Sequence, residues 1–182
     1  MHKLSRQFEG SWIEWSYPAS FALQSIGNVE RVMVGVPSGS PEPFEHLVLS
    51  LNPPYLLLYV LHTPRGEGAP GRYQSLEFTA EDFHVFMQRF GSFFSSDARF
   101  DIWAYSPSEH ATVVWDRHNH IFAYGPVERF SSELRALGFN EGSLESSVPH
   151  QHHYWPEFDG MASELLSSYS WSHSPLRPED EQ

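Results

Sequence analysis

The chain has no cysteine. That excludes disulfides, thiolate nucleophiles, and cysteine-ligated zinc or iron–sulfur centres. Lysine is almost as scarce, with Lys3 the single one among eleven Lys and Arg residues. It lies on a terminus expected to fray, so Schiff-base chemistry is not expected. Eleven cationic side chains against 23 acids give a net charge of −12. Nucleic acid, which needs a basic face, is therefore not an expected partner. The longest apolar run, residues 55–61, is too short to cross a bilayer. No apolar stretch follows the first ten residues, so no secretory leader is expected and the cytoplasm is the expected compartment. Internal repeats, a nucleophile-elbow serine, both glycine-rich nucleotide motifs and H-E-x-x-H are also missing.

What is present suffices for a core. Forty per cent of the 182 residues are hydrophobic and 15% are aromatic, as in an ordinary single domain. Residues 1–11 read as a flexible polar tail, 12–171 as one domain, and 172–182 as a flexible acidic tail. Val32, Val34 and Val36 alternate as one face of a strand, and Leu47, Leu49 and Leu51 suggest another. Residues 55–62 form a continuous apolar run, expected to be a strand covered on both faces. Thr79 is a good N-cap for a helix with Phe83, Phe86, Met87 and Phe90 on its buried stripe, with Gly91 ending the helix or its first part. Strands are expected at 100–105, 112–116, 121–124 and near 143–148. Helices are expected after Pro126, with Val127, Phe130, Leu134 and Leu137 inward, and over 158–169. Residues 12–17 fit either a strand or a helix start. The fold class is α+β, a mainly antiparallel sheet of about six strands with two to three helices on one face.

Four places carry candidate chemistry. In the run from Pro149 to Glu157, an extended backbone puts His150 and His152 on one face and His153 on the other. Two imidazoles at i, i+2 suit zinc or another divalent metal. Glu157, Asp159, His118 or His120 could add a ligand or a base. At the tip of a hairpin, Asp116 and His118 form an acid–base pair, or Asp116 and Asn119 merely cap the turn. In the loop 63–75, Arg65 and Arg72 could clamp an anion, with Tyr73 beside them. Trp103, Tyr105 and Trp115 could form an exposed aromatic patch of the kind that centres protein interfaces.

The motifs Leu61-His62-Thr63-Pro64-Arg65-Gly66-Glu67-Gly68, Asp116 to Gly125 (DRHNHIFAYG) and Pro149 to Tyr154 (PHQHHY) resemble those of a group of small bacterial proteins of unknown function, over residues 28–160. The resemblance implies a bacterial source and assigns no activity. Size, acidity and layout are also similar in style to bacterial toxin-immunity proteins. The leading expectation is a non-enzymatic cytosolic binding protein that neutralises or regulates a basic protein partner and needs no cofactor. Beside it stand a metal-dependent hydrolase or metal-binding protein built on His150 and His152, and a binder of a small anionic ligand built on Arg65 and Arg72. Nothing in the sequence sets an oligomeric state.

Overall fold

The computed structural model describes residues 1–144 and 149–180. Along the chain run β1 (Leu4–Phe8), β2 (Ser11–Glu14), β3 (Ser20–Ile26), β4 (Val29–Gly35), α1 (Glu42–Leu49), β5 (Tyr55–Leu61), β6 (Gly71–Phe78), α2 (Ala80–Ser96), β7 (Phe100–Ser106), β8 (Ala111–Trp115), β9 (His120–Tyr124), α3 (Val127–Ala136), β10 (Asn140–Glu141), β11 (His150–His152), α4 (Asp159–Ser168) and β12 (Trp171–Ser174). Nine strands form one sheet in the order β10-β3-β4-β9-β8-β7-β5-β6-β12, and β11-β1-β2 form a second. All pairs are antiparallel except β10 with β3. The α+β class therefore holds, with twelve described strands and four helices where about six strands and two to three helices were expected.

Strand alternation sorts the large sheet into two faces. Val32, Val34, Ile102, Val113, Trp115, Ile121 and Ala123 point to one side. There they join Phe44 and Leu47 of α1, Phe83, Phe86 and Phe90 of α2, and Phe130 and Leu134 of α3 in one buried cluster. The opposite face carries ladder rungs of a different character. One rung is Arg31–Tyr124–Thr112–Tyr105, and the next is Met33–Phe122–Val114–Trp103. Gly35 and His120 pair one rung further on.

Several local expectations change. Leu47 and Leu51 belong to a helical stripe, not a strand: Phe44, Leu47, Val48 and Leu51 recur at i, i+3, i+4, i+7 and are all buried, while Leu49 is exposed. The apparent alternation of three leucines was a subset of this longer period. Thr79 does cap α2, in a reciprocal box with Asp82. Gly91 does not end α2, because Phe93 and Phe94 continue the buried stripe to Ser96. The helix instead passes Pro41 there, at 3.4 Å from where a Cβ would stand. Residues 4–8 and 11–14, at and beside the expected N-terminal tail, are strands, and 171–174 pair with β6. The strand expected near 143–148 falls largely on residues 145–148, outside the described residues.

A buried charge network fixes the ground beneath β11. Arg99, fully buried, donates to Asp97 (2.8 and 2.9 Å), Glu67 (3.1 Å), Asp159 (3.1 Å) and the Trp155 carbonyl (3.1 Å). Asp97 also accepts from the backbone N–H of Trp155 at 2.8 Å. Removing Asp97, buried like Arg99, would cost about 3–5 kcal/mol. The network ties residues 155–159, just after β11, to the start of β7.

Candidate metal centre

The hairpin between β8 and β9 is built by Asp116. One of its oxygens accepts from the backbone N–H of His118 (2.9 Å) and of His120 (2.8 Å). Asn119 takes the left-handed conformation, φ 59°, and its side-chain oxygen accepts from the Trp115 indole at 3.2 Å. Asp116 thus caps the turn as expected, while the Asn119 side chain bonds an indole instead of the turn backbone. The second Asp116 oxygen accepts from His118 Nδ1 at 3.0 Å, so only Nε2 of His118 keeps a lone pair for another partner. Burial alone would raise the Asp116 carboxyl, but its hydrogen bonds to His118 and His120 hold it well below the usual carboxylate range. Asp101 steadies the same turn, accepting from the Arg117 N–H at 2.8 Å while pairing with His62 at 2.9 Å.

β11 meets this turn from the small sheet. It pairs with β1 in the register Leu4↔His152 and Arg6↔His150. The alternation of an extended strand sends His150 and His152 the same way, toward His118. The three imidazole ring centres form a nearly equilateral triangle with sides of 5.0, 4.9 and 4.9 Å. One nitrogen from each lies within 4.8 Å of the other two. A zinc ion held at about 2.1 Å by three tetrahedral nitrogens needs them about 3.4 Å apart and the ring centres about 5 Å apart. The rings already stand at that spacing, and small rotations would bring the nitrogens in. His152 Nε2 is buried with no hydrogen-bond partner among the described residues. Burial first, then the neighbouring His118 and His150, push the His152 pKa down to about 3. The ring is therefore neutral near pH 7, the form that ligates. Behind His118, Asp116 supplies the carboxylate that commonly orients a metal-bound histidine.

The triangle sits between two hollows. The larger, about 700 Å³, lies on the open sheet face and is lined by Arg31, Trp103, Phe122, Tyr124, His120 and His150 among others. The smaller, about 350 Å³, is lined by His62, Thr63, Arg117, His118, His152 and Tyr154. His118 borders both.

The other candidates disperse. His153 points away, as alternation requires; it hydrogen-bonds Ser5 Oγ at 2.7 Å and stacks on Trp155, and so is not a ligand of this group. Glu157 is exposed in a short 3-10 turn, and neither it nor Asp159 joins the histidine group. Arg65 pairs with Asp159 at 3.0 Å, while Arg72 is held by Asp180 and lies over Trp103. The two arginines have separate carboxylate partners and form no vacant clamp. Tyr73 is buried, its hydroxyl donating to the Ala69 carbonyl at 2.7 Å. Trp115 is wholly in the core, because its strand phase is opposite to that of Trp103 and Tyr105, which stay on the open face.

Two groups escaped the sequence reading. Lys3 is not frayed but fully buried. Its ammonium stands 4.4 Å from the Trp115 ring centre and 3.4 Å from the Asp116 carbonyl oxygen. Asp101 shares its strand phase with Trp103 and Tyr105, a spacing that could have placed it on the open face.

No family model matches the chain, and no curated protein or solved structure matches it either.

Proposed function

We propose that this chain is a divalent-metal hydrolase, with His118, His150 and His152 as the metal ligands. The observation that carries the reading is the triangle of rings at metal-site spacing, backed by the Asp116–His118 hydrogen bond. Three nitrogen ligands leave a fourth position for water, and a zinc-type ion lowers the pKa of that water toward neutrality. The hydroxide so formed would add to an electrophilic carbon or phosphorus, and the departing oxygen or nitrogen would take up the released proton. His120, whose buried Nε2 has no partner among the described residues and which lines the larger hollow, is our candidate to carry that proton.

The partner-binding reading keeps Trp103 and Tyr105 but loses Trp115 to the core, so its hot spot shrinks. The test is metal content. Untagged protein, purified without chelators, is expected to carry close to one zinc, manganese, nickel or iron per chain. The double variant His150→Ala/His152→Ala is expected to carry none while keeping its circular dichroism. If the wild type takes up no metal even after incubation with excess zinc and dialysis, the metal reading falls and pull-downs for a basic partner become the next step.

A further inference from the structure

Arg31 is a cation of the larger hollow whose hydrogen-bond and ring contacts are all with neutral groups. Its Nε donates to Gln24 at 2.8 Å, its NH1 donates to the Tyr124 hydroxyl at 2.7 Å, and its guanidinium lies 4.3 Å from the Phe122 ring centre. It makes no ion pair among the described residues, in a protein of net charge −12. Of the four acids that line the same hollow, Asp116 pairs with His118, Asp101 with His62 and Asp180 with Arg72, and the fourth, Glu179, forms no ion pair with Arg31. A guanidinium held in place by two side chains and a ring, yet left without a carboxylate, is a fixed anion site.

The sheet register gives the spacing between this cation and His120 at the histidine end of the hollow. Arg31 pairs with Tyr124, Met33 with Phe122, and Gly35 with His120, two residues from His118. Four strand residues separate the first rung from the third, a span of about 13 Å. Between them the floor is Met33, Phe122, Val114 and Trp103, apolar and aromatic. The hollow thus has a cationic end, an apolar middle and a histidine end, and its volume suits a small organic molecule.

We propose that this groove binds an elongated organic anion, its acid group paired with Arg31, its apolar body on Phe122 and Trp103, and its reactive end at His118 and His150. The reactive end rests on the metal reading above; the anion end does not.

The test is a calorimetric titration with phenylalkanoates of graded chain length, alongside the matching primary amides and amines, using zinc-treated and chelator-treated protein. The carboxylates are expected to bind and the amides and amines to bind far more weakly, with affinity peaking at one chain length. Arg31→Gln is expected to weaken carboxylate binding roughly ten- to a hundredfold, the value of one charge-assisted contact. Tyr124→Phe, which removes only the hydroxyl that holds Arg31, should weaken it severalfold and serves if Arg31→Gln unfolds. Carboxylate selectivity lost in either variant supports the anion site, even in a protein that takes up no zinc, an outcome that would sink the metal reading alone. Carboxylates that bind no better than amides, or that bind folded Arg31→Gln as well as wild type, overturn the inference whatever the zinc content.

Discussion

Replacing Lys3 by Met is the perturbation whose size follows most directly from the fold. The amine is fully buried, and burial lowers its pKa from 10.5 to about 8 despite the opposing pull of Asp116, Asp101 and Asp97. At about 1.4 kcal/mol per unit, keeping this amine charged in the fold costs about 3 kcal/mol. The sign follows from proton counting. Below about pH 8 both folded and unfolded chains carry the proton, and the folded state bears the full cost. Between about pH 8 and pH 10.5 the folded amine has released its proton while the unfolded one has not, so this group makes stability rise with pH. Methionine has similar length and no charge, so Lys3→Met removes the term. It also loses the ammonium's attraction to the Trp115 face, about 1–2 kcal/mol in a desolvated site. The variant is therefore expected to be more stable than wild type by about 1–3 kcal/mol near pH 7, with the gap narrowing toward pH 10. Urea unfolding followed by tryptophan fluorescence, in both proteins across that range, measures the gap directly. Taking the difference cancels other groups that titrate there, such as Tyr59, whose pKa burial raises. A gap that does not change with pH, or a variant less stable than wild type near pH 7, would refute the assignment of Lys3 as a buried, costly cation.

The remaining expectations concern the site and the two sheet faces. Asp116→Asn keeps an acceptor for the turn but loses the carboxylate behind His118; zinc affinity by competition with a chromophoric chelator should fall roughly ten- to a hundredfold. Trp115→Ala should cost about 3–5 kcal/mol in urea unfolding, since the side chain is fully buried. Trp103→Ala, on the open face beside Arg72, should cost less than about 2 kcal/mol while weakening phenylalkanoate binding; equal losses of stability in the two variants would contradict the division of the sheet into core and open faces.

Much of the fold was legible because it is written in short-range periods. The alternation of Val32, Val34 and Val36, the stripe from Phe83 to Phe90 and the cap at Thr79 each depend on neighbours a few residues away, and each appears in the structure. The failures have a shared cause. At 47–51 every second residue is apolar, and Phe44, Leu47, Val48 and Leu51 also fit a helical stripe, so the sequence satisfies strand and helix periods at once. The choice falls to tertiary packing, which buries Phe44 against Phe83 and Trp115. The phase of Trp115 relative to Trp103 was likewise undecidable without the pairing Trp103↔Val114, which sets Trp115 on the other side. At the site, the opposite faces of His150/His152 and His153 could be read, because alternation is local. That His118 and not Glu157 joins them could not, because the third ring arrives from another hairpin.

The N-terminal segment, expected to be a flexible tail, bears on both parts of the triangle. β1 pairs with β11 through Leu4↔His152 and Arg6↔His150, which sets the position of two of the rings. One residue earlier, the Lys3 carbonyl accepts from the His153 N–H at 3.0 Å, while its ammonium reaches the Asp116 carbonyl at the base of the turn that carries the third ring. The lone lysine thus contacts a residue beside each half of the histidine triangle, His153 through its backbone and Asp116 through its side chain. A buried charge that costs about 3 kcal/mol gains little from burial itself. It does gain a fixed distance between two elements, β11 and the β8–β9 turn, that no hydrogen-bond ladder among the described residues joins directly. If Lys3→Met stabilises the fold yet loosens zinc binding, the cost of that charge is being met for the geometry of the centre, and the buried amine belongs to the site as a positioning residue rather than to the core.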